Sequence, residues 1–428
     1  MKRCIGLALI ALLAVSAAAA MGGKDSGADR NSITVMAVWG DQEAEVFTRG
    51  IAAEFTKRSG VQVLFEGTRD INAVLTSRVQ AGNPPDVAIL PNPGTMMELA
   101  KEGRLVDLGA AMDMAEFKKN FSQGWIDLGT VDGKLYGLYL KAAIKGLVWY
   151  NPKTVAQLGV ALPRTWDEML AVSRSASAAG IAPWAVGVES GAASGWVGTD
   201  WVENIFLRLH GPAKYKDWYE GRLAWTGPEV RRAFEYFGQV VADPAMAYGG
   251  KNYILSTNFG AAHAPLFQQP PRALFHHQAS FIQGFIKEQF PALVAGQDFA
   301  FFGFPSIDAR YAKAVEGAGD CVVAFSPSPQ VAAFLEFMAS ADGQRFWAQT
   351  GALSTNRNVP VSAYADPLTR EAAKILNESE IVVFDASDMM PAAMNEAFWA
   401  GIVSYVSEPA SLDRILADLE RVRADAYR

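Results

Sequence analysis

The sequence predicts an α/β fold of two lobes, the first of them built on a parallel, doubly wound sheet. The length is the first observation, because 428 residues exceed what one hydrophobic core usually serves. Half of the residues are apolar and 19% are charged, which is typical of a globular protein. Strand-like and helix-like segments alternate from Ile33 onward, which is the order that builds a parallel sheet covered by helices.

The first alternating segment is the clearest. Apolar, largely β-branched runs predict strands over 33–39, 61–66 and 86–90. Helices are predicted between them, with Asp41 and Asp70 as capping residues. Ligands of such sheets sit beyond the carboxyl ends of the strands. The polar and aromatic residues that follow these strands therefore predict a binding site for a polar, neutral molecule.

The rest of the chain continues the alternation. A short helix is predicted at 95–101, and Asp132-Gly133 predicts a tight turn between two strands. A capping box from Thr165 to Glu168 opens a later helix. We expect the Gly- and Ser-rich segment 189–198 to be a loop, with Thr199 capping the helix that follows. The tail, 360–428, is expected to be wholly helical.

The N-terminus predicts export. Lys2 and Arg3 precede an apolar run over 5–15, and small residues follow, so 1–20 is interpreted as a secretory signal peptide. Residues 21–30 are interpreted as a flexible tether. Cys4 lies before the apolar run, so no lipid anchor is indicated. We expect the mature protein in the periplasm or at the outer face of the cytoplasmic membrane.

Several function classes are disfavoured by composition and motifs. The net charge is −7 and no basic stripe is present, so nucleic acid is not an expected partner. The phosphate-binding, nucleophile-elbow and zinc-protease motifs are absent from the sequence. His276 and His277 would face opposite sides of a strand, and Cys321 lies in an apolar run that predicts a buried thiol. We expect no catalytic residue, no metal and no cofactor.

A family resemblance rests on several motifs together. The main ones are Gly-Lys-Leu-Tyr-Gly-Leu at 133–138 with Trp-Tyr-Asn-Pro at 149–152, Trp-Val-Gly-Thr-Asp-Trp at 196–201, and Gly-Ala-Gly-Asp at 317–320. With them, the chain resembles the extracellular solute-binding proteins of bacterial carbohydrate ABC importers, the family of the maltose-binding proteins. The last two motifs are similar to the α-glucoside-binding branch. The resemblance covers nearly the whole mature chain.

The resemblance implies the two-lobed periplasmic-binding-protein fold, in which each lobe is a doubly wound sheet flanked by helices and the ligand cleft lies between the lobes. It implies hinge closure on a sugar and delivery to a membrane permease. We place the crossings between lobes near Tyr139, Phe299 and Gly351. The N-terminal lobe would then be 31–140 and 300–351, and the C-terminal lobe 141–299 and 352–428. A monomer is expected.

Sugars present an apolar face and a rim of hydroxyl groups, which proteins meet with aromatic rings and with charged or amide side chains. The candidate ligand-binding residues are Trp39, Glu43, Arg69, Asn92, Lys141, Trp196, Asp200, Gln278, Asp320 and Arg357. Each also has a structural interpretation. Trp39 could pack under the first helix, Trp196 could anchor its loop, and the charged residues could form surface ion pairs.

Three functions stay open at this point. The first is a non-enzymatic protein that binds an α-glucoside or a small oligosaccharide. The second is a secreted glycosidase, which needs two carboxylates across a cleft; Asp41, Glu43, Asp200 and Asp320 could supply them. The third is a binding protein for glucosylglycerol or for an anionic sugar, whose acid group would suit Arg69, Lys141 and Arg357.

Overall fold

The computed structural model describes residues 31–364, 366–379 and 381–428. The predicted signal peptide and tether lie outside these residues. None of the helices within the described residues is both long enough and apolar enough to span a membrane.

The strands form two main sheets and one short hairpin. The strands are β1 Ser32–Ala37, β2 Gln62–Gly67, β3 Val87–Leu90, β4 Thr130–Val131, β5 Lys134–Leu135, β6 Leu138–Ile144, β7 Leu147–Tyr150, β8 Ala182–Trp184, β9 Ala273–His277, β10 Ala300–Gly303, β11 Ala314–Ala324 and β12 Ile381–Phe384. Six of them make the larger sheet, in the order β12-β11-β3-β1-β2 with β6 also on β11. The smaller sheet has the order β10-β7-β9-β8, and β4 pairs with β5.

Helices connect these strands. They are α1 Asp41–Glu45, α2 Ala53–Ser59, α3 Ile71–Gln80, α4 Pro93–Lys101, α5 Met114–Asn120, α6 Gln123–Leu128, α7 Pro152–Leu158, α8 Trp166–Ala178, α9 Trp196–Tyr219, α10 Pro228–Val241, α11 Gly250–Ser256, α12 Ile282–Gln289, α13 Pro329–Ala339, α14 Ala341–Ala348, α15 Pro367–Glu378, α16 Ala386–Met389, α17 Ala392–Ser407 and α18 Leu412–Ala426. A π-helical segment, Val46–Ala52, joins α1 to α2.

The first lobe has the parallel strand order that the sequence predicts. Strand β1 pairs in parallel with both β2 and β3, so it lies inside the sheet. Successive residues of β1 point to opposite faces. Val35 therefore packs into one apolar cluster and Met36 into another, and both are buried. Because both faces are covered, the strand is apolar along most of its length rather than alternating.

The smaller sheet is mixed rather than wholly parallel. Strand β9 pairs in parallel with β8 but antiparallel with β7, and β10 is antiparallel to β7. Its large apolar core is rich in tryptophan, and Trp184, Trp201 and Trp218 are fully buried there. Most of the tryptophan in this half of the chain therefore serves packing.

Strand β6 carries the chain from one sheet to the other. It pairs with β11 of the larger sheet, and only Lys145 and Gly146 separate it from β7 of the smaller sheet. This short passage fixes where the two sheets face each other.

Several sequence-based expectations need correction. The tail is not wholly helical, because β12 pairs in parallel with β11. Strand β10 belongs to the smaller sheet, so the sheet boundary lies beyond the predicted crossing at 299/300. Helix α9 begins at Trp196 rather than near Thr199. Asp41 and Asp70 stand at helix starts, but neither makes a side-chain cap hydrogen bond.

Candidate ligand-binding site

A cavity of about 260 Å³ lies where strand ends of the larger sheet face α9 and the β12–α16 connection. Seven of the ten predicted residues line it: Trp39, Glu43, Arg69, Asn92, Lys141, Trp196 and Asp320. The parallel pairing of β1 with β2 and β3 explains four of them, Trp39, Glu43, Arg69 and Asn92, because the carboxyl ends of these strands lie at one edge. Lys141 and Asp320 come from the antiparallel pair β6 and β11, and Trp196 comes from α9. The structure thus brings together residues that are up to 281 positions apart in the chain.

Lys141 organises the first charged group of this pocket. Its Nζ lies 2.5 Å from Glu43 Oε1 and 3.0 Å from Asp320 Oδ2. Arg69 Nη2 lies 3.2 Å from the other oxygen of Glu43. Asp320 and Lys141 are direct partners in the β11–β6 ladder, so the backbone pairing itself aligns them. The acidic side chains are therefore held in place by neighbouring cations.

Trp39 is part of this group rather than a free stacking surface. Its ring is fully buried and packs against Phe47 and Trp347, with ring centroids 5.4 and 4.7 Å away. Its Nε1 donates a hydrogen bond of 2.6 Å to Asp320 Oδ2. The structural interpretation of Trp39 therefore holds, while its edge still forms part of the pocket wall.

Lys145 organises a second charged group. Its Nζ lies 3.0 Å from Asp200 Oδ1 and 3.0 Å from Asp385 Oδ2. Asp385 Oδ1 also accepts hydrogen bonds from the Ser387 hydroxyl and from the backbone N–H of Asp388. Asp200 is buried and does not line the pocket; its contact with the pocket is through Lys145, which does line it.

The charge states of the two groups follow from burial and pairing. Burial opposes ionisation of Glu43, but Lys141 and Arg69 lower its pKa. Burial likewise opposes ionisation of Asp385, and Lys145 lowers its pKa. Burial also opposes protonation of the two lysines, but their carboxylate partners raise the pKa of each. Both lysines and these two carboxylates are therefore charged at neutral pH.

Four other buried acids have their pKa values shifted in the opposite direction. Burial raises the pKa of Asp200, Glu203, Glu316 and Asp388 well above the ordinary values, and neighbouring carboxylates add to the effect. Neither carboxyl oxygen of Glu316 has a hydrogen-bond partner among the described residues. Because one lysine cannot neutralise so many acids, part of this group holds protons.

Aromatic side chains form the opposite wall. Trp196 is half-buried, and its ring centroid lies 5.1 Å from that of Phe259. Lys145 Nζ lies 4.7 Å from the Trp196 ring, a cation–π distance. Arg69 also lines the pocket, with its guanidinium carbon 5.2 Å from the centroid of the Phe259 ring. The site therefore combines an aromatic face with ionised groups.

Two predicted residues lie elsewhere. Gln278 is buried and does not line the pocket; its side-chain oxygen accepts from the backbone N–H of Ala279. Arg357 donates to the backbone carbonyl of Phe121 and lines a different cavity. The structure does not bring either residue to this site.

Sequence reasoning missed Lys145 and the residues after β12. Lys145 could have been found, because it lies four residues after Lys141 in a strand-like stretch, and residues four apart on a strand share a face. Asp385, Ser387 and Asp388 follow an apolar run, which is the pattern of a strand end, but the tail was expected to be helical. Asn92 confirms their place, since its Nδ2 donates 2.9 Å to Asp388 Oδ1.

One group of acids has the spacing of a metal site. Carboxylate oxygens of Asp200, Glu316 and Asp385 lie within 4.8 Å of one another. The Lys145 ammonium already lies among two of them and supplies a positive charge. A metal ion would have to displace it, so this group is read as a lysine-centred ion cluster.

Comparisons with known proteins show a family of related sequences. The family model described as bacterial extracellular solute-binding protein matches residues 40–345. The osmoprotective compounds-binding protein GgtB of Synechocystis sp. is 38% identical over 401 residues, which cover 93% of this chain and 94% of that protein. The alpha-glucosides-binding periplasmic protein AglE of Rhizobium meliloti is 33% identical over 393 residues, which cover 89% of this chain and 85% of that protein.

Solved structures share the fold. The bacterial solute receptor AcbH has a TM-score of 0.79 at 17% identity, covering 93% of this chain and 99% of that one. A chitin oligosaccharide binding protein has a TM-score of 0.79 at 21% identity, covering 92% and 99%. At these identities the likeness concerns the two-lobed fold alone.

Proposed function

This chain belongs to the bacterial extracellular solute-binding protein family, and from that premise we propose that it is the substrate-binding component of an ABC sugar importer. Its ligand is a neutral α-glucoside or a small oligosaccharide, bound between two lobes that close by hinge motion. The lobes are those built on the larger and the smaller sheet. The relatives named above are binding proteins, and we propose that this chain likewise carries out no reaction.

The observation that carries this proposal is the pairing of charges around the pocket. Each lysine that lines it contacts two carboxylates, so the cations are already paired within the protein instead of awaiting an anionic ligand. Such fixed groups still accept and donate strong hydrogen bonds to hydroxyl groups. An uncharged polyhydroxyl ligand with an apolar face fits this arrangement.

The charges of the lining argue against an anionic sugar. The cations are Arg69, Lys141 and Lys145, whereas the acidic side chains are Glu43, Asp70, Asp320, Asp385 and Glu396, with Asp388 as a sixth acid whose pKa burial raises well above the ordinary value. An added carboxylate would meet more acids than bases. Arg357, which would have supplied a further positive charge, lies at another cavity.

We propose direct ligand contacts for Glu43, Arg69, Asn92, Lys141, Trp196 and Asp320, with Lys145, Asp388 and Trp399 as additions from the pocket lining. The mature chain is proposed to work as a monomer in the periplasm or at the outer face of the cytoplasmic membrane, where it delivers the sugar to the permease. Asp200 is proposed as a positioning residue for Lys145.

A thermal-shift screen of the mature chain tests the ligand class. The panel contains neutral disaccharides, glucosylglycerol and uronates. A ligand at 100 times its dissociation constant adds about 2.7 kcal/mol to the free energy of unfolding. We expect shifts with one or more neutral α-glucosides and none with uronates. Shifts with uronates alone would overturn the neutral-ligand proposal.

A product assay tests the absence of reaction. Glu43 is a poor general acid, because Lys141 and Arg69 hold its pKa low against the effect of burial. We expect no glucose release from maltose and no nitrophenol release from nitrophenyl glucosides. Turnover that disappears on Glu43→Gln substitution would support a glycosidase instead.

A further inference from the structure

A second, larger cavity lies next to the ligand pocket, and we call it the rear cavity. Its volume is about 1020 Å³. Ala142 and Ala143 of strand β6 line both cavities, so the two meet at this strand. The walls of the rear cavity come from α6, the C-terminal part of α9, the segment 353–364, α15 and β12. None of the residues proposed to contact the sugar lines it.

The rear cavity is lined by cations. Lys216, Arg357, Arg370 and Lys374 line it, and none of its described lining residues is Asp or Glu. This is the reverse of the ligand pocket, where acids outnumber bases. Lys216 of α9 lies 3.8 Å from Glu220, whereas Arg357, Arg370 and Lys374 come from segment 353–364 and α15. Their positive charges add up and attract an anion into the space between these elements.

The guanidinium groups of Arg357 and Arg370 each have N–H donors that are not used in their hydrogen bonds to backbone carbonyls. Arg357 Nη2 donates 2.5 Å to the carbonyl of Phe121, and Arg370 Nη1 donates 2.8 Å to the carbonyl of Tyr364. Neither guanidinium lies within 4.0 Å of a carboxylate among the described side chains. A carbonyl orients a guanidinium without neutralising it, so both keep their charge and further N–H groups for a ligand.

Apolar surface lies beside these charges. Trp125 and Phe384 line the cavity and are only half-buried. Val361 and Val382 also line it, with 67% and 49% of their surface exposed, and they belong to the few large apolar residues exposed in the described chain. Exposed apolar surface of this kind commonly marks a binding site.

We propose that the rear cavity is a second binding site, for an organic anion. The arginines bind an acidic group, such as a carboxylate, sulfonate or phosphate, and Trp125 with the exposed valines covers an apolar or aromatic body. The site is separate from the sugar pocket and opposite to it in charge. The proposal of a second site does not depend on which sugar the ligand pocket binds.

Fluorescence titration of the mature chain, without sugar and at constant ionic strength, tests this proposal. The probe is anilinonaphthalene sulfonate, an aromatic anion, and phenylnaphthylamine is the neutral probe with the same rings. We expect saturable binding of the anion with one site per chain. The double variant Arg357→Gln/Arg370→Gln should weaken it by about a hundredfold, since each lost charge-assisted hydrogen bond costs about tenfold.

Two further variants keep the test decisive. Val382→Glu leaves both arginines in place and adds a negative charge at an exposed rim position, so it should also weaken binding of the anion. Arg164→Gln removes a charge from a side chain that is 89% exposed and lies outside the cavity lining, so it should not. Thermal unfolding of each variant, measured alongside, checks that it is folded.

The outcomes separate cleanly. Equal weakening by Arg164→Gln would show that overall charge, not this cavity, attracts the probe, and would overturn the proposal. Equal affinity for the neutral probe would show an apolar site without anion recognition and would also overturn it. A sugar that fails to shift the protein would weaken the proposed function but leave this titration unaffected.

Discussion

Two lysines, four residues apart, set the electrostatics of the pocket. Lys141 pairs with Glu43 and Asp320, and Lys145 pairs with Asp200 and Asp385. The acids come from distant parts of the chain, but the lysines come from one crossing strand and its end. Lys141 lies within β6 and Lys145 directly follows it, and both side chains line the pocket. The pocket is therefore organised before any ligand enters.

At the residue scale, Trp196 is predicted to carry much of the affinity. Trp196→Ala should weaken binding of the best sugar from the screen by about 2 kcal/mol, roughly thirtyfold, because a partly buried aromatic anchor is lost. Isothermal titration calorimetry measures this. Trp125→Ala is the matched control, since Trp125 is also half-buried but lines the rear cavity. Equal losses in both variants would argue against stacking on Trp196.

We predict that Glu316 makes the free energy of unfolding depend on pH. Burial raises its pKa well above the ordinary 4.5, so the folded state binds a proton that the unfolded state releases. The contribution of this group to the free energy of unfolding therefore falls as pH rises above 4.5. Glu316→Gln keeps the neutral shape and cannot lose a proton. Urea unfolding should show that the free energy of unfolding of the variant increases relative to that of the wild type as pH rises. A difference between the two free energies that stays constant across pH would contradict this.

At the element scale, the start of α9 depends on a glycine. Gly195 has φ +112°, and a Cβ there would lie 2.2 Å from the carbonyl oxygen of Trp399. The close approach brings α17 against the N-terminus of α9, next to Trp196. Glycine is required both for the backbone angle and for this contact.

We therefore expect Gly195→Ala to lower the free energy of unfolding by about 2–4 kcal/mol. Gly82→Ala is the matched control, because Gly82 also has positive φ, +71°, but nothing lies within 4 Å of its added Cβ. The control substitution should lower the free energy of unfolding by about 1 kcal/mol, because only the backbone angle is unfavourable for alanine there. Urea unfolding measures both, and similar losses would contradict the close contact.

The elements also show where sequence patterns are reliable. The strands and helices from Ser32 to Lys101 follow the predicted order closely. The Asp132-Gly133 turn joins β4 to β5 as expected. The start of α9 was predicted three residues late, because Gly195 and Trp196 in a Gly-rich segment resemble a loop. Strand β12 was missed, because it is short and its pairing with distant β11 has no local signal.

At the scale of the whole molecule, the two-lobed α/β fold could be predicted from the sequence and the family resemblance. Part of the candidate site could also be predicted, since the carboxyl ends of the parallel strands β1, β2 and β3 meet at one edge. Gln278 and Arg357 fell outside it, because their side chains turn to backbone groups that local sequence does not reveal. Asp385 and Asp388 were missed with the strand that delivers them.

The most direct test is a crystal structure of the mature chain with the neutral α-glucoside that gives the largest thermal shift. We predict one sugar ring against Trp196, with hydroxyl groups hydrogen-bonded to Lys141 and Asp320. Sugar bound only in the rear cavity, or a complex that forms only with a uronate, would contradict the account.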